Sequence, residues 1–314
     1  MRRFIVKRVL SVIPVLLIVS VVIFSVVHLT PGDPAASILG DEATAEDIAA
    51  LRARMGLDKP IVEQYFVWLN NIFHGDFGMS VAGNETVANM LKTHWEPTIS
   101  LALFSTVIAL CLAIPLGILA SRNKGTLVDS GVSALSLMGI SLPSFLLGLF
   151  LMMVFAVKLK WLPVSGYKSM ADGLVPHIRS LVLPGVALGF MHSALLMRMT
   201  KASMLEVLNS DYIKMAKAKG VKEFFLVAKH AFRNALIPVI TTIGQSIVGA
   251  LAGAAVVEYM FAIPGMGQLM VNSIGRRDYY VIQAIVLIIA CINVMVNLIV
   301  DLLYGIADPR VRLG

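Results

Sequence analysis

The sequence predicts an all-α integral membrane protein with six transmembrane helices and a helical insertion between the first two. Three observations lead there. The 314-residue chain is 58% hydrophobic and only 14% charged, with mean hydropathy +0.83, where a soluble domain carries about a quarter charged residues. Several apolar runs exceed the ~18 residues that mark a membrane-spanning helix. The cations gather in alternate connecting segments, the pattern that orients a multi-pass chain.

The N-terminus has the basic start of a signal peptide, but its apolar part from Val9 to Leu29 reaches ~31 Å at about 1.5 Å per residue, a full bilayer core. A signal core is only ~7–15 residues long and is followed by a small-residue cleavage site, which is missing here. This is read as a retained first span, in which Pro14 is tolerable. The segment 30–97 follows as an outer insertion with helices of its own. Thr44-Ala-Glu-Asp47 fits a loose capping box, with Ile48, Leu51 and Met55 on one face and Gly56 placed to end the helix. Pro60 opens a second helix, with Ile61, Tyr65, Phe66 and Leu69 on its inner side. A small helical cap packed on the bundle is the expected form.

The remaining spans are 98–120, 131–157, 181–200, 237–257 and 281–303. The third run contains Pro143 and is expected to tilt or break. The fourth is the weakest in pattern, because His192 and Arg198 interrupt it. Gly185-VAL-Gly189 and Gly249-ALA-Gly253 are small-xxx-small pairs that let helix backbones approach; packing within the chain is expected rather than a dimer seam. Arg2, Arg3, Lys7 and Arg8, then Arg122 and Lys124, then seven Lys/Arg in 201–236, then Arg310 and Arg312 lie in one set of connections. The other set holds four in the long 30–97 segment, and Lys158, Lys160, Lys168 and Arg179 in 158–180 run against the trend. The balance predicts both termini in the cytoplasm, with 30–97, 158–180 and 258–280 facing outward. The organisation is then a tail and first span (1–29), an outer insertion (30–97) and a core (98–314) with a cytoplasmic loop at 201–236.

The chemistry that is missing bounds the function. There is no Gly-Lys dipeptide and hence no P-loop, no H-E-x-x-H, no G-x-S-x-G and no C-x-x-C. No catalytic residue, cofactor, metal site or nucleic-acid partner is expected. Ionisable groups in the spans are few. His192 is a candidate pore-facing group, with a hydrogen bond to a neighbouring helix as the commoner role; Arg198 sits where it can snorkel. Glu258 and Asp301 fall near span ends, within reach of water or headgroups. None forms a proton relay. Cys111 and Cys291 both lie in apolar runs, which disfavours a disulfide.

The loop 201–236 carries the most information. Asp211-Tyr-Ile-Lys-Met-Ala-Lys-Ala-Lys-Gly220 reads as a short helix with a favourable first-turn acid. After Gly220, the apolar positions Val221, Phe224, Phe225, Ala228, Phe232, Ala235 and Leu236 fall at helical period. Lys222, Lys229, Arg233 and Asn234 lie off that stripe. The pattern alone allows two readings, an amphipathic hairpin on anionic lipid or a pair of short helices docked in a groove of a cytoplasmic partner.

Asp211 to Gly220, with His230-Ala-Phe-Arg-Asn-Ala-Leu-Ile-Pro238, resembles the cytoplasmic "EAA" loop of ABC importer permeases in the form used by the dipeptide/oligopeptide/nickel branch. His28–Pro34, Gly56–Pro60, Gln64-Tyr65, Trp68-Leu69, Gly75–Gly78, Leu142–Phe145, Val257–Gly267, Arg277–Tyr279 and Asp308–Arg310 extend the likeness over nearly the whole chain, and as a set resemble the first (B-type) of the two permeases such importers use. Lys214 and Met215 stand where the general motif has Glu and Ala, and Pro238 falls five residues late; the peptide branch is closer on both counts.

The resemblance implies a type I ABC importer permease fold in the bacterial inner membrane. It implies a second permease subunit, separate ATPase subunits that bind the ATP, an external substrate-binding protein and the lipid bilayer as partners. The ATPase-coupling residues it implies are Asp211, Tyr212, Ala216, Lys219, Gly220, Phe224, His230, Arg233 and Asn234. Peptides are the expected cargo, with nickel or a metal chelate as the alternative and a stand-alone secondary transporter or channel as the second alternative. No substrate-contacting residue is singled out.

Overall fold

The computed structural model describes residues 2–29, 34–39, 43–80 and 85–307. Residues 30–33 of the first matched motif, and Asp308, Arg310 and Arg312, lie outside the described residues, as do the side chains of Arg2, Arg3, Lys7, His28, Leu29, Leu51 and Met55. The described residues form thirteen α-helices in the order α1 (Arg2–Leu29), α2 (Pro34–Leu39), α3 (Ala45–Met55), α4 (Ile61–Phe73), α5 (Val87–Arg122), α6 (Leu127–Ser141), α7 (Ser144–Leu151), α8 (Leu174–Leu208), α9 (Asp211–Ala218), α10 (Glu223–Phe225), α11 (Phe232–Met260), α12 (Met266–Gly275) and α13 (Tyr279–Ala307). Two π-helical stretches, Met152–Lys158 and Leu226–Ala231, continue α7 and α10. No β-strand is present among the described residues.

The capping signals act as the sequence predicts. The Thr44 hydroxyl accepts from the Asp47 N–H at 3.2 Å, the Asp47 carboxylate accepts from the Thr44 N–H at 3.3 Å, and Gly56 closes α3 at φ 68°. Pro60 sits at the N-cap of α4. The inner face of α4 differs from expectation, because Tyr65 and Trp68 pack on Phe24 of α1 while Ile61 and Phe66 are exposed.

Among the described residues, five helices are long and apolar enough to cross a membrane: the Arg8–Ser25 part of α1, then α5, α8, the Pro238–Met260 part of α11, and α13 through Leu303. The third run breaks at Leu142-Pro143, where α6 and the α7 stretch meet at 102°. Leu142 adopts extended backbone angles, as a residue before proline must. The broken pair still connects the two ends of the bundle. At one end, Arg8 pairs with Asp301 at 3.0 Å and Arg122 with Glu223 at 2.6 Å, and Lys201 bridges to Asp129 and Ser133. At the other, the Gly166 N–H donates to the Phe261 carbonyl at 2.8 Å, and the Tyr167 and Ser169 hydroxyls donate to Glu96 at 3.0 and 2.8 Å. Residues 123–126 and 159–173 therefore lie at opposite ends, and with the bent pair taken as one span the candidate spans number six.

Two spans, α5 and α8, outgrow the predicted runs most. Helix α5 begins at Val87 rather than 98 and covers 36 residues, ~54 Å, so residues 87–97 of the expected insertion are the polar foot of a span. Helix α8 covers 35 residues and its most apolar 18-residue stretch has a mean hydropathy of only 1.7, yet that stretch is the most deeply buried among the crossing helices. It is the central pillar, enclosed by α5, α6, α7 and α11, and protein neighbours tolerate polar side chains that lipid would not. Both small-residue pairs serve packing within the chain. A Cβ on Gly189 would meet the Ser105 carbonyl at 2.6 Å, and one on Gly249 the His192 ring at 2.8 Å. His192 thus packs against Gly249 of α11, and its Nε2 has no hydrogen-bond partner among the described residues, in place of the expected interhelical hydrogen bond.

Candidate coupling segment and the anchored opposite end

The basic loop folds into α9, a left-handed turn, α10 and a π-helical stretch that runs into α11. Ser210 precedes α9 and Asp211 opens it, giving the expected acid in the first turn. The end of α9 is a Schellman motif. The Val221 N–H donates to the Ala216 carbonyl at 3.3 Å and the Gly220 N–H to the Lys217 carbonyl at 3.0 Å, with Gly220 at φ 79°. No atom crowds the position of a Cβ on Gly220, so the backbone angle, not space, requires glycine there.

Ile213 is buried and packs with Leu226, Val227, Ala231, Ala235 and Met204, with Ile118, Ala216 and Val221 at the edge. Burying a side chain of the size of Ile213 is worth ~1.5–3 kcal/mol. This cluster ties α9 to the ends of α5 and α8. The predicted stripe is corrected on this point: Phe224, Phe225 and Ala228 face solvent, while Leu226 and Val227 turn inward. A π turn takes i→i+5 bonds, which brings Leu226 and Ala231 onto one face and breaks the 3.6 period.

The structure brings together Tyr212, His230 and Asn234. The Asn234 side chain donates to the Tyr212 hydroxyl at 2.7 Å and to the His230 carbonyl at 3.0 Å, and the Tyr212 hydroxyl donates to the same carbonyl at 3.4 Å. Phe224 is 73% exposed and lies edge-to-face with Phe225 at 5.7 Å. Lys219 and Arg233 are exposed, and Ala216 is half-buried in the seam between α9 and Val221. Sequence reasoning missed the Arg122–Glu223 bond, which ties α10 to the end of α5, and the exposed Met215 beside Tyr212. The only signal for the first was the lone acid among the cations of 217–233.

Replacing Tyr212 by Phe is expected to cost ~0.5–1.5 kcal/mol of local stability. Asn234→Ala should add to it only in part, since both variants lose the shared Asn234–Tyr212 bond and each also loses its own bond to the His230 carbonyl. A double-variant cycle read on substrate uptake checks this.

The opposite end holds a second polar constellation. Glu258 is fully buried, not at a wet span end as expected. Its Oε1 accepts from the Thr98 hydroxyl at 2.6 Å, and its Oε2 accepts from the Gly267 and Gln268 N–H groups at 2.8 and 3.0 Å. Thr98 in turn accepts from the Met266 N–H at 2.8 Å. A carboxylate from α11 and a hydroxyl from α5 thus cap α12, where free N–H groups and the helix dipole favour negative charge. Gly265 makes this possible, as a Cβ there would meet the Glu258 carboxyl at 2.4 Å. Nearby, the Ser80 hydroxyl donates to the buried Asp278 at 2.5 Å, linking the insertion to the start of α13. Burial pushes the Tyr167 hydroxyl up to about 12, which keeps it a donor to Glu96 and Ser100.

Residues 113–313 match the family of binding-protein-dependent transport system inner membrane components, and residues 1–102 match the N-terminal domain of such membrane components. The chain is 41% identical over 312 residues to a protein of Brucella abortus (strain 2308) described as a peptide transport system permease, covering 99% of each. It is 40% identical over 312 residues to the glutathione transport system permease protein GsiC of Shigella flexneri serotype 5b, again 99% of each. In fold it is similar to a chain of the MetNI methionine ABC transporter in an inward-facing form, with TM-score 0.56 and 17% identity, over 70% of this chain and 96% of that one.

Proposed function

The chain belongs to the inner-membrane components of binding-protein-dependent transport systems, the permease subunits of ABC importers, and on that premise we propose that it carries peptides across the bilayer together with a second permease subunit. A permease of this kind hydrolyses no ATP itself; separate ATPase subunits do. The peptide class is supported by relatives that are 38–41% identical over 98–99% of this chain and described as peptide or glutathione permeases.

The observation that carries the coupling role is the surface of α9 and α10. Tyr212, Met215, Phe224 and Phe225 are exposed at the same end as Arg8 and Arg122, ringed by Lys217, Lys219, Lys222, Lys229 and Arg233. An exposed aromatic pair with flexible Met beside it suits a groove on a partner protein. This surface, with Asp211, Ala216, Gly220, His230 and Asn234 supporting it, is the ATPase dock. That end, with both termini, faces the cytoplasm, and the end bearing 30–97 and 258–280 receives the substrate-binding protein.

Reconstitution tests the reading. Liposomes holding this chain, its second permease and the ATPases are expected to accumulate labelled peptide only with internal ATP and external binding protein. Accumulation by this chain alone, without ATP, would overturn it.

A further inference from the structure

Helix α4 is apolar over more of its circumference than the bundle covers. At about 100° per residue, Tyr65, Trp68 and Ile72 form one face, and it docks on α1. The hydroxyls of Tyr65 and Ser20 meet at 2.8 Å, and the rings of Tyr65 and Trp68 lie 5.4 and 5.6 Å from Phe24. About 100° away lies a second apolar face of Val62, Phe66, Leu69 and Phe73, of which Val62, Phe66 and Phe73 are 62%, 61% and 80% exposed. Glu63 and Asn70 lie on the polar arc beyond it.

The docking point fixes the depth of this face. Phe24, which both rings touch, falls within the apolar run of α1, ~8 Å inside Leu29, where helix and apolar run both end. That is the depth at which an interfacial helix buries its apolar side, ~5–10 Å into the headgroup–acyl boundary. Helix α1 has exposed apolar side chains of its own, among them Ile18, Val21 and Val22, which a membrane-crossing helix presents to lipid. Tyr65 and Trp68 have the amphipathic rings that favour this level.

We propose that α4 is an interfacial helix whose Val62–Phe66–Phe73 face lies in the outer-end lipid leaflet beside α1, so that the bilayer itself, and not only the bundle, positions the insertion. This is independent of the cargo.

The test uses the whole importer in vesicles of phosphatidylethanolamine and phosphatidylglycerol, on a Cys111→Ser, Cys291→Ser background. Val62→Cys, Phe66→Cys and Phe73→Cys carry a nitroxide in turn, with Glu63→Cys and Asn70→Cys as partners on the polar arc. Collisions with oxygen are expected to exceed those with a water-soluble nickel chelate at 62, 66 and 73, and the order to reverse at 63 and 70. Chelate access at 62, 66 and 73 equal to that at 63 and 70 would overturn the proposal, as would immobilised labels shielded from both reagents, the signature of a protein partner. Single labels on one short helix leave its fold readable, because the polar pair reports its orientation independently.

Discussion

Replacing Gly220 by proline is expected to abolish uptake while the protein still inserts in the membrane. Proline fixes φ near −65° and has no N–H, whereas Gly220 holds φ 79° and donates to Lys217. The loss of the turn costs ~3 kcal/mol or more, depopulating the capped form of α9 by ~100-fold. Alanine pays only the left-handed penalty of ~1–2 kcal/mol, and asparagine tolerates that region better. Uptake should therefore rank Gly, Asn, Ala, Pro. Ala216→Phe should act like proline by forcing α9 off Val221 and the cluster around Ile213. ATP hydrolysis and peptide uptake measured on the same preparation check both, with membrane insertion followed by fractionation. Equal uptake across the Gly220 series would remove the coupling role assigned to the turn.

Glu258→Ala is the second large effect. It strips the Gly267 and Gln268 N–H groups and the Thr98 hydroxyl of their acceptor in a fully buried site. Each orphaned group costs ~1–3 kcal/mol, and because they share one acceptor the total is not a simple sum. A loss of ~2–5 kcal/mol is expected. Gln retains one carbonyl acceptor and should fall between. Thermal unfolding of the purified chain in detergent measures the loss. Proteolysis of the segment from Ala262 to Tyr279 should quicken in Glu258→Ala and not in the Tyr212 variant, which lies at the other end. An unchanged unfolding midpoint in Glu258→Ala would show the cap to be dispensable.

What the sequence revealed depended on how local the cause was. The capping box at Thr44, the stop at Gly56, the break at Pro143 and the turn at Gly220 are set by a few neighbouring residues, and each was legible. Helix ends were not. The first turns of α5 are polar because they emerge from the bilayer, so hydropathy could not count them. Helix α8 looked weak because its solvent is other helices rather than lipid. The side of α4 that faces α1 was misread at Phe66, since an apolar arc wide enough for two contacts does not say which half meets protein. In the coupling segment the residue types were legible but not the inward face, because a π turn shifts the register by one residue. The burial of Glu258 depends on Thr98 and the start of α12, far from it in the chain or across a turn, and no periodicity encodes that.

The composition of α8 has a consequence for synthesis. The mean hydropathy of its most apolar 18-residue stretch, 1.7 against 2.4 in α5 and 2.5 in α1, gives it the least reason among the first three unbroken spans to leave the translocon for lipid. Its buried positions, among them Ser180, Ser193, Thr200 and Ser203, suit a helix that partitions against protein. The order of the chain supplies that protein: α5 and the broken α6–α7 pair emerge before α8, and Gly185 and Gly189 then seat it against Phe104 and Ser105. The central pillar of the bundle is thus the member that most needs its neighbours to be in the membrane first.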